Sequence, residues 1–273
     1  MIVIVVVWMR EITSRQNPIV RAFRGLADAP DPSGARLLLD GAHLVGEAQR
    51  AGMTLETVAV PSSRVERDTE EGRLARDLDR RGVDVVVASD QVFDAISPVR
   101  TPSGIVAIAR RTPMKAADAC RGRDALVVTA VDVQNPGNIG AIVRVAEAGG
   151  ATGVLVAGVS ANPFSWKAVR GSMGSVLRLP VATGMDAEAA LGCMRHAGLR
   201  TVAAVARDGE TPDDIDWSGS VGLLLGGEGA GLADSLVRQC DTRVTIPMTP
   251  PVDSLNVAAA AAILVYAARR QRI

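Results

Sequence analysis

A series of near-continuous apolar runs divides the second half of the chain and restricts its possible folds more than any other feature. These runs lie at residues 125–131, 153–157, 199–205, 221–225 and 244–246. Between them, apolar side chains recur with helical spacing at 139–148, 187–196 and 254–270. Strands that lack polar alternation are buried on both faces, and the intervening helices provide the cover. The pattern predicts an α/β fold with a parallel sheet between two layers of helices.

The first half shows a shorter version of the same alternation. Apolar strands are predicted at 37–39, 58–60, 83–88 and 104–109, with amphipathic helices at 43–51 and 73–81. Charge and proline at 110–113 mark a linker. A chain of 273 residues also exceeds the usual size of one domain. We therefore expect a smaller N-terminal α/β domain at 9–110, a linker at 111–123 and a parallel-sheet domain at 124–273.

Charge and cysteine content narrow the functional class. Lys+Arg and Asp+Glu both number 30, so a nucleic-acid contact would have to come from local arginine clusters. Cys120, Cys193 and Cys240 form no CxxC pair, which favours reduced thiols in the cytoplasm over disulfides or a metal site. The apolar residues 2–8 are too short to span a membrane and carry no export signal. They are interpreted as a short edge strand, or as an over-extended start if translation begins at Met9.

A glycine-rich loop, residues 226–232 (GGEGAGL), follows the predicted strand at 221–225. Missing side chains let a ligand lie against the backbone there. A dinucleotide-binding fingerprint would lie on an early strand with several βα units after it, whereas one strand and one long helix follow this loop. A Walker A loop would end in GK[ST], which this loop lacks. A nucleotide-dependent oxidoreductase is therefore the least favoured interpretation.

Three segments stand in the order of a known set of family motifs: 135–144 (NPGNIGAIVR), 226–232 and 246–257 (IPMTPPVDSLNV). They resemble the signature motifs of the SpoU branch of the SPOUT RNA methyltransferases. The resemblance implies a C-terminal trefoil knot, S-adenosylmethionine as cofactor, methylation of an RNA ribose at its 2′-oxygen without metal, and a homodimer. Motif matching assigns cofactor binding to Leu225, Gly226, Gly231, Ile246, Met248 and Leu255.

The same resemblance implies catalytic roles for Asn138, Arg144, Glu228, Ser254 and Asn256. Imidazole base catalysis is not expected, because neither histidine of the chain lies in a motif. Arginine keeps its proton in proteins, so we expect Arg144 to bind phosphate or to stabilise the forming alkoxide. Glu228 is the alternative for proton handling, or it pairs with Arg144. Ser254 and Asn256 stand at a helix start, where Asp253 or Ser254 is the expected cap.

The final helical segment, 257–268, is apolar nearly all round and requires burial on several sides, which a homodimer would provide. At the other end of the chain, residues 12–21 and 37–45 resemble the ribosomal-protein-like RNA-binding domain that precedes many SpoU catalytic domains. Asp40 stands where relatives often have Glu.

Arg15, Arg21 and Arg24, with Arg36, make a locally basic stretch suited to RNA phosphates; a solvated face is the alternative. The implied RNA-binding domain favours large-subunit 23S ribosomal RNA as the substrate. A tRNA 2′-O-methyltransferase and a catalytically silent RNA-binding or ribosome-assembly protein stay as alternatives.

Overall fold

A computed structural model describes residues 9–272, so the interpretations offered for residues 2–8 lie outside the described part of the chain. The chain forms two units. The first runs to Thr112 and includes Phe164–Trp166. The second contains Pro113–Pro163 and continues from Lys167.

The first unit is a mixed sheet with helices. Its elements are β1 (Arg10–Ile12), α1 (Pro18–Asp28), β2 (Arg36–Asp40), α2 (Ala42–Arg50), β3 (Thr54–Pro61), α3 (Ser62–Glu66), α4 (Glu70–Arg80), β4 (Val85–Ala88), α5 (Asp90–Ile96) and β5 (Val106–Arg110). The strand order is β1-β4-β3-β5-β2, and β5 runs antiparallel to both of its neighbours. Phe23, Phe93, Leu38 and Ile108 belong to its buried core.

The start of α1 illustrates how local sequence sets this unit. The Asn17 side chain accepts a hydrogen bond from the Ile19 backbone N–H at 2.9 Å, and Pro18 occupies the first helical position. Both choices are typical of a helix start, because the cap satisfies a free N–H and proline has none to satisfy. The sequence patterns above did not predict α1, β1, α3 or α5.

The second unit is a parallel α/β unit. Its elements are α6 (Ala116–Ala119), β6 (Leu126–Val131), α7 (Pro136–Ala148), β7 (Gly153–Ala157), α8 (Trp166–Gly171, of which Trp166 falls in the first unit), a 3₁₀ turn (Ser175–Leu177), β8 (Val181–Met185), α9 (Ala187–His196), β9 (Arg200–Ala204), β10 (Val221–Gly226), α10 (Asp234–Val237), β11 (Thr242–Val244) and α11 (Val257–Gln271).

The six-stranded sheet has the order β11-β9-β10-β6-β7-β8, and every neighbouring pair is parallel. All residues of β6 are buried. Because successive side chains of a strand point to opposite faces, this burial requires cover on both faces. Helix α9 covers one of these faces, because the hydroxyl of Thr129 lies 3.4 Å from the sulfur of Met194 on α9. The predicted α/β class with a parallel C-terminal sheet and a separate N-terminal unit is confirmed.

Close approach of helices positions the loops of this unit. A Cβ added at Gly140 of α7 would lie 2.4 Å from the carbonyl oxygen of Ala168 on α8. One added at Gly149, which caps the end of α7, would lie 2.1 Å from Cγ1 of Val265 on α11. Glycine is therefore required where the chain at each end of α7 meets its neighbour.

The structure corrects three details. β8 was not predicted, because its sequence VATGM lacks a continuous apolar run and its pairing with β7 is irregular. β11 ends at Val244, so the predicted strand at 244–246 lies mainly in the following loop. The predicted helix at 254–270 begins at Val257, and Asn256 rather than Asp253 or Ser254 is its cap.

Within residues 9–272, no helix combines the length and the apolar composition that a membrane span requires. The trefoil knot implied by the family resemblance stays a prediction.

Candidate active site

Two successive glycines fix the path of the loop that leaves β10. A Cβ at Gly226 would lie 2.2 Å from the carbonyl carbon of Gly231, and one at Gly227 would lie 2.0 Å from the backbone oxygen of Asp132. Both distances are far below van der Waals contact, so any side chain at either position would displace backbone. The glycine-rich sequence thus folds the loop against its own end and against the end of β6.

A cavity of about 690 Å³ opens beside this loop. Its walls come from the glycine loop, the segment after β11 and the first turns of α11. The structure brings all six predicted cofactor residues to it: Leu225, Gly226, Gly231, Ile246, Met248 and Leu255. We call it the cofactor cavity. Leucine and isoleucine side chains and bare glycine backbone offer apolar walls and hydrogen-bonding groups to one ligand.

Three polar side chains from distant parts of the sequence form a hydrogen-bonded chain at the edge of this cavity. The Asn138 amide donates to Oε1 of Glu228. Asn256 donates from Nδ2 to Oδ1 of Asn138 at 3.2 Å, and its own Oδ1 accepts from the Ala258 backbone N–H at 2.9 Å. An ionised carboxylate only accepts, so Glu228 fixes the orientation of Asn138, and Asn138 in turn fixes Asn256.

The charge state of Glu228 follows from its neighbours. Burial is the largest single effect and raises its pKa, but hydrogen bonds from its own backbone N–H, from the Asn138 side chain and from the Gln134 backbone together outweigh burial and lower the pKa below the ordinary 4.5. Glu228 is therefore ionised at neutral pH. It serves as a strong hydrogen-bond acceptor and as a weak base.

A second cavity of about 780 Å³, the polar cavity, adjoins the same three side chains. Its lining consists of Gln134, Asn135, Pro136, Gly137, Asn138, Lys167, Glu228 and Asn256. It shares Glu228 and Asn256 with the cofactor cavity. The hydrogen-bonded chain therefore borders both cavities.

The sequence motifs did not identify Lys167 or Gln134 as site residues. Lys167 belongs to α8, which carries no motif, and it reaches the cavity through the packing of α8 on α7. The sequence does carry one signal for Lys167, which is the rarity of lysine in this chain. Of the 30 Lys and Arg residues, two are lysines, Lys115 and Lys167.

The other predicted catalytic residues are placed differently. Ser254 lines the cofactor cavity, with its hydroxyl 3.4 Å from Oδ1 of Asp253. Arg144 is exposed on α7 and lines neither of the two cavities. Within residues 9–272 it forms no hydrogen bond or ion pair, so the suggested pairing of Glu228 with Arg144 is wrong for this chain alone. Glu228 is held by Asn138 instead.

In the first unit, Arg21 and Arg24 are exposed on α1. Arg15 is also exposed and donates to the backbone oxygen of Gln91 at 3.1 Å. Arg36, which the sequence grouped with them, forms an ion pair with Glu56 at 2.7 Å. A carboxylate thus already neutralises Arg36, whereas the guanidinium groups of Arg21 and Arg24 face solvent.

The chain matches known families over both units. A family model described as the SpoU rRNA Methylase family matches residues 125–266, and one described as the MRM3-like substrate binding domain matches residues 17–107. The 23S rRNA (guanosine(2553)-2′-O)-methyltransferase RlmP of Bacillus subtilis is 30% identical over 94% of this chain and 98% of its own length.

Solved structures agree with these matches. An AdoMet-bound rRNA methyltransferase from Sinorhizobium meliloti superposes with a TM-score of 0.83 at 31% identity, covering 97% of this chain and 98% of its own. The SpoU methyltransferase AviRb from Streptomyces viridochromogenes, in complex with the cofactor AdoMet, gives a TM-score of 0.81 at 28% identity, covering 94% of this chain and 98% of its own.

Proposed function

Because the chain belongs to the SpoU rRNA methylase family, we propose that it transfers the methyl group of S-adenosylmethionine to a ribose 2′-hydroxyl of large-subunit ribosomal RNA in the cytoplasm. The observation that carries this proposal is the position of the chain Glu228, Asn138 and Asn256, which borders both the cofactor cavity and the polar cavity. Such an arrangement lets a cofactor and an acceptor approach each other from two sides.

The cofactor cavity fits S-adenosylmethionine in size and chemistry. Its volume of about 690 Å³ lies within the usual range of small-molecule sites. Leu225, Ile246 and Leu255 offer apolar walls for adenine, and the missing side chain of Gly226 lets the loop close on Gly231 to form one wall of the cavity. Carboxylates at the cavity can pair with the hydroxyl and ammonium groups of the cofactor; they belong to Asp208, Asp234 and Asp253.

When bound, S-adenosylmethionine supplies a methyl group on a positively charged sulfur, which transfers as the new carbon–oxygen bond forms and the carbon–sulfur bond breaks. The protein has to orient the acceptor hydroxyl and accept its proton. Glu228 is ionised and is held by Asn138, so it can accept a hydrogen bond from the 2′-hydroxyl and take the proton as that oxygen loses electron density. A weak base suffices at that stage. Orientation supplies most of the remaining acceleration.

Arg144 has a separate role in this proposal. Its exposed guanidinium has no partner within residues 9–272, so it is available to an RNA phosphate outside the two cavities. Arg144→Ala is expected to keep S-adenosylmethionine affinity and to lose methyl transfer. Calorimetric titration and single-turnover transfer measure the two quantities, and normal turnover of the variant would overturn this role.

We also propose that the protein is a homodimer formed through α11. One face of this helix packs on α7 and β10, but Ile263 and Tyr266 on the other face are 42% and 47% exposed. Ile246 and Pro247 extend this apolar surface, which lines part of a cavity of about 640 Å³. An exposed apolar face on a helix of this composition is typical of an interface between subunits.

Sedimentation equilibrium tests the dimer. The wild type should have twice the chain mass, and Ile263→Glu should shift it to the monomer because the substitution places a charge in the interface. A monomeric wild type would overturn the proposal.

The first unit, with residues 9–110 as its RNA-binding domain and 111–123 as the linker, is proposed to bind the RNA through Arg15, Arg21 and Arg24. Its similarity to the MRM3-like substrate binding domain supports this role. Exposed arginines on α1 offer charge to phosphates while the fold of the RNA supplies the shape that is recognised.

The proposed activity is tested by transfer of radiolabelled methyl from S-adenosylmethionine to purified, unmodified total RNA, followed by size separation and nuclease digestion. The expected product is a 2′-O-methyl nucleotide in large-subunit ribosomal RNA. Label in tRNA would overturn the substrate assignment. Absence of label in free and ribosome-bound RNA, despite cofactor binding, would favour a catalytically silent RNA-binding protein.

A further inference from the structure

Lys167 is the cationic side chain among the residues that line the polar cavity. The other polar groups of that lining are amides and the carboxylate of Glu228. Lys167 is exposed, so its ammonium group can meet a ligand that enters from solvent. The cavity thus carries an anionic acceptor on one wall and a cation on another.

The packing of α8 against α7 fixes the backbone position of Lys167. It lies in α8 next to Ala168, whose carbonyl oxygen would be 2.4 Å from a Cβ at Gly140 of α7. Gly171 of α8 and Gly137 of α7 make a second close approach, with 3.4 Å between the Cβ position of Gly171 and the Gly137 oxygen. These glycine contacts hold the backbone of Lys167 against the first turns of the helix that carries Asn138.

An RNA nucleotide has the complementary chemistry. Its ribose carries a 2′-hydroxyl that donates a hydrogen bond, and the flanking phosphodiesters are anionic. A ribose whose hydroxyl reaches Glu228 and Asn138 places a phosphate within the same cavity, where a lysine can neutralise it. Lysine contacts phosphate as a compact charge on a flexible stem, and it therefore tolerates any base at the acceptor.

We propose that Lys167 binds a phosphate next to the acceptor ribose and so positions the 2′-hydroxyl at Glu228. This inference rests on the proposed function and assigns a substrate contact to a residue outside the three motifs. Lys167 then acts on RNA binding, while the cofactor cavity is independent of it.

The test compares Lys167→Gln, Lys167→Arg and the matched control Lys115→Gln, an exposed lysine that lines neither the cofactor nor the polar cavity. Two quantities are measured for each: the dissociation constant for unmodified large-subunit rRNA over a salt series, and the dissociation constant for S-adenosylmethionine. Lys167→Gln should weaken RNA binding about tenfold and reduce the slope of log K against log salt by about 0.7–0.9. Lys167→Arg should largely restore both, and Lys115→Gln should match the wild type.

The RNA measurement does not require turnover, so it separates this inference from the proposed function. Absence of methyl transfer by the wild type overturns the proposed function, whereas the salt slope still decides the role of Lys167. An unchanged slope and RNA affinity in Lys167→Gln overturn the phosphate contact. Weaker S-adenosylmethionine binding with unchanged RNA binding also overturns it, because Lys167 would then serve the carboxylate of the cofactor.

Discussion

Asn256 has two hydrogen-bonding functions that substitution can separate. Its Oδ1 caps α11 by accepting from the Ala258 N–H, and its Nδ2 donates to Asn138. Asn256→Asp keeps the capping oxygen and removes the donor. Asn256→Ala removes both. If the donor orients Asn138 for catalysis, both variants should be slow, whereas only the alanine variant also loses the cap of α11.

The magnitudes follow from these contacts. Loss of a side-chain cap costs about 1 kcal/mol, which lowers the melting temperature of a protein of this size by about 2–4 °C. In Asn256→Asp, a carboxylate oxygen faces Oδ1 of Asn138 across the position of the present 3.2 Å hydrogen bond. If the transition state requires Asn138 in its present orientation, restoring that orientation in the variant costs more than about 1.4 kcal/mol, which corresponds to at least about a tenfold loss of kcat/KM.

Thermal unfolding and single-turnover methyl transfer measure the two effects. Asn17→Ala is the matched control, because Asn17 caps α1 in the first unit with a bond of the same 2.9 Å length to Ile19. It should lose similar stability and keep its chemical rate. Wild-type turnover in Asn256→Asp would refute the orienting role, and an unchanged melting temperature in Asn256→Ala would refute the capping estimate.

Three further predictions follow from close contacts and charge. Gly226→Ala should weaken S-adenosylmethionine binding at least about tenfold by calorimetry, whereas Gly192→Ala, which meets open space in α9, should not. Gly140→Ala should lower the free energy of unfolding by about 1–3 kcal/mol in urea, because the new methyl group meets backbone. The hydrogen bond from Arg178 lowers the pKa of Glu147, so this pair stabilises the fold above pH 4.5, and its contribution is lost as pH falls through the lowered pKa. Glu147→Gln should thus reduce the melting temperature at pH 7, and the difference should vanish in acid.

Each of these three predictions has a result that would contradict it. Unchanged cofactor affinity in Gly226→Ala would place the cofactor elsewhere, and Gly140→Ala with wild-type stability would mean that α7 and α8 can separate without cost. A constant difference between Glu147→Gln and the wild type from pH 7 to pH 3 would show that the ion pair does not control the effect.

The strands of the C-terminal sheet were predictable because a strand buried on both faces has a recognisable apolar run. β8 escaped that pattern, since Thr183 and Gly184 interrupt it and its pairing with β7 is irregular. The start of α11 was also missed, because Ser254 and Asn256 are equally good caps in sequence and only the hydrogen bond to Ala258 distinguishes them.

The sequence predicted several of the residues that belong to the candidate site, but it did not predict which of them contact each other. Motif matching named Asn138, Glu228 and Asn256, but their hydrogen bonds join positions 90 and 118 residues apart, which periodicity does not encode. Lys167 reaches the polar cavity through the glycine contacts of α7 with α8. A single sequence carries little trace of such packing, because glycine also occurs in ordinary turns.

The hydrogen bond between Asn138 and Asn256 joins two residues that are synthesised at different times. Every strand of the second sheet precedes residue 245, so the sheet and the glycine loop can assemble before α11 emerges. The hydrogen-bonded chain closes only when α11 docks on α7, which joins residues 118 positions apart in the sequence. A nascent chain can therefore have a formed sheet and glycine loop while Asn138 still lacks its bond from Asn256.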